Sequence, residues 1–242
     1  MTETRMDNAP AAVLWDMDGT LIDSEPLWLD VEVTMLGRYG IELTDEVRDN
    51  LIGAGLRSSA QVFKDLGVPL EIDAIIAEWT DGVIAGLNTT TPDWRPGALE
   101  LLADLRAQGI PSALVTMSVR KIADAVIALL PAGSFVTVVA GDEVTHEKPH
   151  PEAYLRGAAA VGVSIADCLA LEDSMPGVTA GHASGAIAIG IPNLLPLDTS
   201  PAHEVWASLA DHSAHTLAAR FTALRTIHPY NAGDTAGTGE TA

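Results

Sequence analysis

Five short runs of the chain are apolar almost without a break: AAVLW (11–15), PSALVTM (111–117), SFVTVVA (134–140), CLALE (168–172) and AIAIGI (186–191). Continuous rather than alternating apolarity marks strands buried on both faces. Between the later runs the pattern changes to helical spacing. Pro96-Gly97 opens ALELLADLRAQG, which closes at Gly109, with proline at a helix start and glycine at its end. Ser118 opens VRKIADAVIALL, Pro149 to Gly162 holds PEAYLRGAAAVG, and Pro176-Gly177 begins a short segment before the fifth run. Strands alternating with helices over short connections predict an open, mostly parallel α/β sheet.

Residues 24–92 break that rhythm. SEPLWLDVEVTMLGRYG has Ser24 at an N-cap position, Pro26 in the first turn and Gly40 as a stop. Helical patterns follow in TDEVRDNLIG, RSSAQVFKDLG and LEIDAIIAEWTDGVIAGL, and nothing here reads as a strand. The stretch is a helical insertion after strand 1, joined through GTLIDSE and NTTTPDW. The core is then 11–23 plus 93–228. The polar start, 1–10, is expected to be flexible. The tail 229–242, with two acids and no large aliphatic residue, is expected to be disordered.

The polar residues fall at the carboxyl ends of the strands. Strand 1 ends in Asp16 and Asp18, strand 2 in Thr116 and Ser118, strand 4 in Glu172-Asp173-Ser174, and strand 3 runs into GDEVTHEKP with Asp142 and Lys148. In a parallel sheet these ends share one edge, where such folds bind ligands. Acids, one lysine and small hydroxyls gathered there suggest phosphate chemistry with a divalent cation. Unit like charges ~4 Å apart at an effective dielectric of ~20 repel by about 4 kcal/mol. A phosphate ester beside Asp16, Asp18 and Asp173 therefore calls for a hard cation such as Mg²⁺, which takes oxygen ligands. Lys148, with backbone N–H groups of the Gly19 turn and of Met117 and Ser118, would carry the remaining charge. Asp16 at the strand tip is placed to attack phosphorus, and Asp18 to move protons. Thr20 can brace the carboxylates.

Composition narrows the partners. With 13 basic and 33 acidic residues the net charge is −20, which disfavours nucleic acid and anionic membranes. The single cysteine, Cys168, excludes an internal disulfide, and its apolar run makes it a buried thiol. No signal-peptide core and no apolar run of spanning length is visible, so the chain reads as a cytoplasmic protein, by default a monomer.

Taken in order, DMDGTLIDSE, VTMS, KPHP and EDS resemble the four motifs of the haloacid dehalogenase superfamily over roughly residues 11–191. The insertion after motif one resembles the small helical (C1-type) cap of the phosphoglycolate phosphatase and β-phosphoglucomutase branch. The resemblance implies a Rossmann-like core under a mobile cap. It implies Asp16 as nucleophile and Mg²⁺ ligand, and Asp18 as acid/base with its backbone carbonyl on the metal. Thr116 and Lys148 would hold phosphoryl oxygens, and Asp173 and Glu172 would complete the metal site, Glu172 directly or through water. True dehalogenases and phosphonatases of this fold lack the second motif-one aspartate. The one lysine of the insertion, Lys64, sits in the helix pattern QVFKDLG, which does not match a Schiff-base route. β-Phosphoglucomutases carry a histidine where this chain has Trp28, and an arginine that Arg57 could match. The expected activity is therefore a Mg²⁺-dependent phosphatase of a small phosphorylated, sugar-phosphate-like metabolite. A phosphosugar mutase and a non-catalytic phospholigand-binding protein are the alternatives. Specificity is expected around Trp28, Arg57 and residues 53–58. His146 and His150 read as loop residues, and Asp142 as a brace for Lys148 or an outer neighbour of the metal.

Overall fold

The computed structural model describes residues 8–230. Strand β1 (Ala12–Trp15) is followed by four helices, α1 (Glu25–Arg38), α2 (Asp45–Leu51), α3 (Leu56–Asp65) and α4 (Ile72–Thr89). The chain then alternates through α5 (Ala98–Ala107), β2 (Ser112–Val115), α6 (Arg120–Ile127), β3 (Thr137–Val139), α7 (Glu152–Val161), β4 (Cys168–Glu172), α8 (Met175–Ser184) and β5 (Ile187–Gly190). It closes with β6 (Glu204–Val205) and α9 (Ala214–Ile227). The sheet order is β3-β2-β1-β4-β5-β6 and every pairing is parallel. This is the α/β fold that the apolar runs predicted, with β1 at the centre between β2 and β4. The chain moves outward from β1 on one side and returns on the other. The carboxyl end of β1 is therefore the switch point at which such sheets bind ligands.

Alternation along the strands builds two core layers. Val13, Trp15, Leu114, Leu169, Leu171, Ile187 and Ile189 face one cluster, into which Leu101, Ile122, Leu217 and Phe221 of α5, α6 and α9 insert. Ala12, Leu14, Ala113, Val115 and Ala170 face the other, covered by α7 and α8. The second face is rich in alanine, and Gly157 lets α7 approach closely: a Cβ there would lie 2.9 Å from Val115 Cγ2. Each fully buried aliphatic side chain of these layers contributes about 1.5–3 kcal/mol. Trp15 is buried without a loose donor, because its Nε1 donates to Ser112 Oγ at 3.2 Å.

Two elements have no counterpart in the sequence reading. β6 is two residues long, held by Trp206 N–H donating to Gly190 O at 2.8 Å and His203 N–H to Ala188 O at 2.9 Å. Helix α9 starts at Ser213, whose Oγ accepts from Thr216 N–H, and buries Leu217, Phe221 and Leu224.

In the insertion α1 and α3 pack on α4, with Phe63 edge-on to Trp79 at 4.6 Å and Met35, Ile75 and Val83 buried around them. The two linkers pair with each other: Asp23 N–H donates to Asp93 O at 2.7 Å, Arg95 N–H to Leu21 O at 3.1 Å, and Ile22 bridges Trp94. Ser58 Oγ donates to Glu147 at 2.5 Å, and Lys121 pairs with Asp81 at 2.7 Å, so polar contacts also join insertion and core. No helix of the described residues is long and apolar enough to cross a membrane. The flexibility expected of 1–7 and 231–242 concerns residues outside the described chain. Asn8 is described, and its carbonyl accepts from Thr222 Oγ1 at 3.0 Å.

Candidate active site

Asp16 directly follows β1, and its N–H donates to Leu171 O at 3.0 Å, so the sheet carries the residue to its edge. The chain turns at Gly19, which has φ +83. A Cβ at Gly19 would lie 2.0 Å from Asp173 Oδ2, so both the backbone angle and the close approach require glycine. Thr20 Oγ1 reaches Asp173 at 3.5 Å, the bracing expected of it. Asp16, Glu172 and Asp173 are all buried, and each offers an oxygen within 4.8 Å of the others.

One cation faces these three acids. Lys148 Nζ donates to Asp16 Oδ1 at 2.7 Å, to Val115 O at 3.0 Å and to Glu172 Oε1 at 2.5 Å, which uses all three of its protons. Burial alone would lower the Lys148 pKa, but Asp16 and Glu172 outweigh it and hold the ammonium charged. Tyr154 hydroxyl also donates to Glu172 Oε1, at 2.5 Å, and Ser174 Oγ to Oε2 at 3.3 Å. Glu172 is thus committed to Lys148, Tyr154 and Ser174. Burial, then Glu172, pushes the Asp16 carboxyl up to about 8 against the opposing pull of Lys148. Burial, Asp16 and Glu172 push Asp173 well up. Three buried carboxylates around one ammonium are short of positive charge, and their donors are hard oxygens. That set fits Mg²⁺, which Asp16 and Asp173 would hold, with Glu172 behind them.

Asp18 stands apart from this cluster. Its Oδ1 accepts from Ser24 Oγ at 2.5 Å and Trp28 Nε1 at 3.0 Å; its Oδ2 accepts from Ser118 Oγ at 2.7 Å and Thr116 Oγ1 at 3.3 Å. Two donors come from the insertion and two from the end of β2, so Asp18 bridges the two parts. Ser24 was expected to cap α1; its side chain makes no cap bond and is diverted to Asp18. Thr116 was expected to face the phosphate. Here its hydroxyl is shared between Asp18 and Ser118 N–H, the latter at 3.0 Å. Met117 Sδ accepts from Lys148 N–H at 3.3 Å, and Met117 lines the cavity.

That cavity brings together Asp16, Asp18, Lys148 and Asp173 from the core with Trp28 from α1. Arg57 is not brought in. Its guanidinium pairs with Asp73 at 2.8 Å and stays two-thirds exposed, because the first turn of α4 offers an acid on the outer surface. Asp142 accepts from Arg120 N–H at 2.8 Å at the start of α6, and it is not among the partners of Lys148 Nζ, so it does not brace that lysine here. His146 and His150 are loop residues, both tied to Glu152. Tyr154, Ser24, Glu25 and Glu32 were not singled out for the site. Glu25 and Glu32 line the cavity, and their i, i+7 spacing with Trp28 between was the available signal.

A parallel sheet with an acid cluster and one lysine at its switch point defines a phosphate-handling α/β enzyme class. The haloacid dehalogenase-like hydrolase family model matches residues 10–185, and the chain belongs to that family. It is similar to hexitol phosphatase B of Escherichia coli strain K12, 30% identical over 201 residues that cover 75% of this chain and 83% of the relative. The bifunctional riboflavin kinase/FMN phosphatase of Arabidopsis thaliana is 31% identical over 207 residues, covering 83% of this chain; the chain spans about half of that relative's length, 54%. The crystal structure of CbbY from Rhodobacter sphaeroides in complex with phosphate has a TM-score of 0.75 at 25% identity, covering 84% of this chain and 96% of that one.

Proposed function

We propose that the chain is a Mg²⁺-dependent phosphomonoester hydrolase that acts on a small phosphorylated, sugar-phosphate-like metabolite through a phospho-Asp16 intermediate. The observation that carries this reading is the buried Asp16–Glu172–Asp173 cluster with Lys148 donating into it. The phosphatase names of the two relatives support it. Bound Mg²⁺ would neutralise the acids and the phosphoryl oxygens so that an anionic ester can enter. Asp16 attacks phosphorus in line; the P–O bond to the leaving group breaks, and Asp18 delivers a proton to the departing oxygen. Asp18 then takes a proton from water, which attacks the acyl-phosphate, releasing inorganic phosphate and restoring Asp16. Lys148, and the Thr116 hydroxyl once it leaves Asp18, hold the phosphoryl oxygens. Helices α1–α4 act as a cap turning on the 21–23/93–95 ribbon. Since Asp18 is gripped by Ser24 and Trp28 on one side and Thr116 and Ser118 on the other, cap movement re-aims the proton carrier. The cell compartment is the cytoplasm and the working unit a monomer.

The test is phosphate release from a panel of phosphomonoesters with Mg²⁺, with chelator, and with Asp16→Asn. Release that chelator and Asp16→Asn each lower by about a thousandfold or more is expected, as for loss of a nucleophile. Turnover that survives Asp16→Asn would remove the phospho-Asp16 route.

A further inference from the structure

Three residues of α1 share one face and look into the cavity: Glu25, Trp28 and Glu32, at i, i+3 and i+7. Trp28 spends its N–H on Asp18. The two glutamates spend nothing. Among the described residues neither carboxylate has a hydrogen bond or an ion pair, although Glu32 is only 9% exposed. Glu25 has a structural reason for its charge in the first turn, where acids favour the helix dipole. Glu32 has none: it lies mid-helix, the residue is largely buried, and what surface it keeps lines the cavity. A buried carboxylate without a partner is unfavourable unless something else supplies donors.

The rest of that wall shows which donors. On the insertion side the lining is Leu51, Ile52, Leu56 and Ser59 besides the acids, with no lysine or arginine. The single cation of the whole lining is Lys148, already shared among Asp16, Glu172 and Val115 O. A second phosphate or a carboxylate on the substrate would face two acids whose nearest opposing charge, Arg48 beside Glu25, lies outside the lining. Seven residues of helix separate the backbones of Glu25 and Glu32 by roughly 10 Å along the axis. A single ammonium engages one of them; a chain of hydroxyls engages both.

Resting on the phosphatase reading above, we infer that Glu25 and Glu32 form the leaving-group subsite, and that they select a monophosphate ester of a neutral polyhydroxy chain while rejecting bisphosphates and phosphocarboxylates. Hydroxyls donate to the two carboxylates, and the apolar residues between them cover the carbon chain. Glu32 is the sharper determinant of the two.

The experiment measures kcat/KM with Mg²⁺ at pH 8.5, where the Glu32 carboxyl is ionised, for sorbitol 6-phosphate, fructose 1,6-bisphosphate, phosphoglycolate and phosphoethanolamine, with p-nitrophenyl phosphate as a generic ester. The polyol monophosphate is expected to exceed each of the other three by about tenfold or more, the worth of one charge-assisted hydrogen bond. Glu32→Gln and Glu25→Gln should each raise KM for sorbitol 6-phosphate, about tenfold for Glu32→Gln, with Tm showing that both variants fold. Glu32→Lys should shift preference toward the bisphosphate. Comparable use of bisphosphate or phosphoglycolate, preference for phosphoethanolamine, or KM values unmoved in both glutamine variants would overturn the inference. If p-nitrophenyl phosphate is cleaved in a Mg²⁺-dependent way in those cases, the phosphatase reading stands alone. If no ester is cleaved, both fall.

Discussion

At the scale of single residues, the carboxylates of this cavity differ in what their charge does for the fold. Burial, then the neighbouring Glu25, pushes the Glu32 carboxyl up to about 8 from 4.5. The folded chain therefore holds this proton more tightly than the unfolded one. The stabilisation is fully present below about pH 4.5 and is lost as pH rises through about 8. Glu32→Gln removes that slope. It should raise stability at pH 8.5 by on the order of 1–3 kcal/mol, a gain of several degrees in Tm, and the gap should close near pH 5. Thermal melts of both proteins at pH 5, 7 and 8.5 check this, and a gap independent of pH would refute the assignment. Asp16, Asp18 and Asp173 were legible because each stands at or just past the end of an apolar run, where a charge is out of place; Lys148 was legible as the lysine of KPHP in the loop that follows the third run. Glu32 sits in LDVEVTM, where an acid among helix residues looks solvated; only the packing of α1 over the sheet edge makes it unusual. Tyr154 was hidden for the converse reason, since an aromatic in PEAYLRG reads as ordinary core until its hydroxyl is seen on Glu172.

At the scale of elements, the start of α8 shows how a helix terminus shapes the site. Ser174 caps α8 by accepting from Gly177 N–H at 3.2 Å and also donates to Glu172. A Cβ on Gly177 would fall 2.0 Å from the Glu172 carboxyl. Alanine favours a helix over glycine by up to about 1 kcal/mol, yet here that preference is outweighed by overlap with a buried charge, for which about 1–3 kcal/mol is the usual scale. Gly177→Ala should therefore destabilise and, by moving Glu172 off Lys148 and Tyr154, lower kcat/KM at least about tenfold. Gly37→Ala on α1, with open space around it, is the control and should stabilise by about 0.5–1 kcal/mol. Melting and kinetics of the two variants side by side decide it; a neutral Gly177→Ala would mean that Glu172 has room to move. Strong local patterns made β1 to β5 and α1 to α7 readable in advance. β6 was not readable because two residues have no period, and it exists through backbone bonds to an edge that β5 provides. Ser24 was legible as a cap by type, but the tertiary competitor, Asp18, took its hydroxyl.

At the scale of the molecule, the fold class followed from the order of patterns alone, whereas the joining of insertion to core did not. Residues 21–23 and 93–95 are some seventy positions apart and carry no signal of pairing, yet they form the ribbon on which the insertion is mounted. Net charge is legible at any scale, and it has a consequence for the whole fold. With 33 acids against 13 bases, twenty negative charges stay uncompensated however the pairs are arranged. The ion pairs that do form on the surface are exposed, as with Arg57–Asp73 and Lys121–Asp81, and such pairs contribute about 0–1 kcal/mol each. Self-repulsion of the acid excess should then exceed what the pairs return, and repulsion is screened by salt: the Debye length falls from about 30 Å at 0.01 M to about 10 Å at 0.1 M. Raising NaCl from 0.01 to 0.3 M at pH 7.5, with chelator present to keep divalent binding out of the comparison, should raise Tm by several degrees. A protein held together mainly by surface ion pairs would respond in the opposite direction. A Tm that falls with salt would therefore mean that the pairs, few as they are, outweigh the repulsion of the surplus acids.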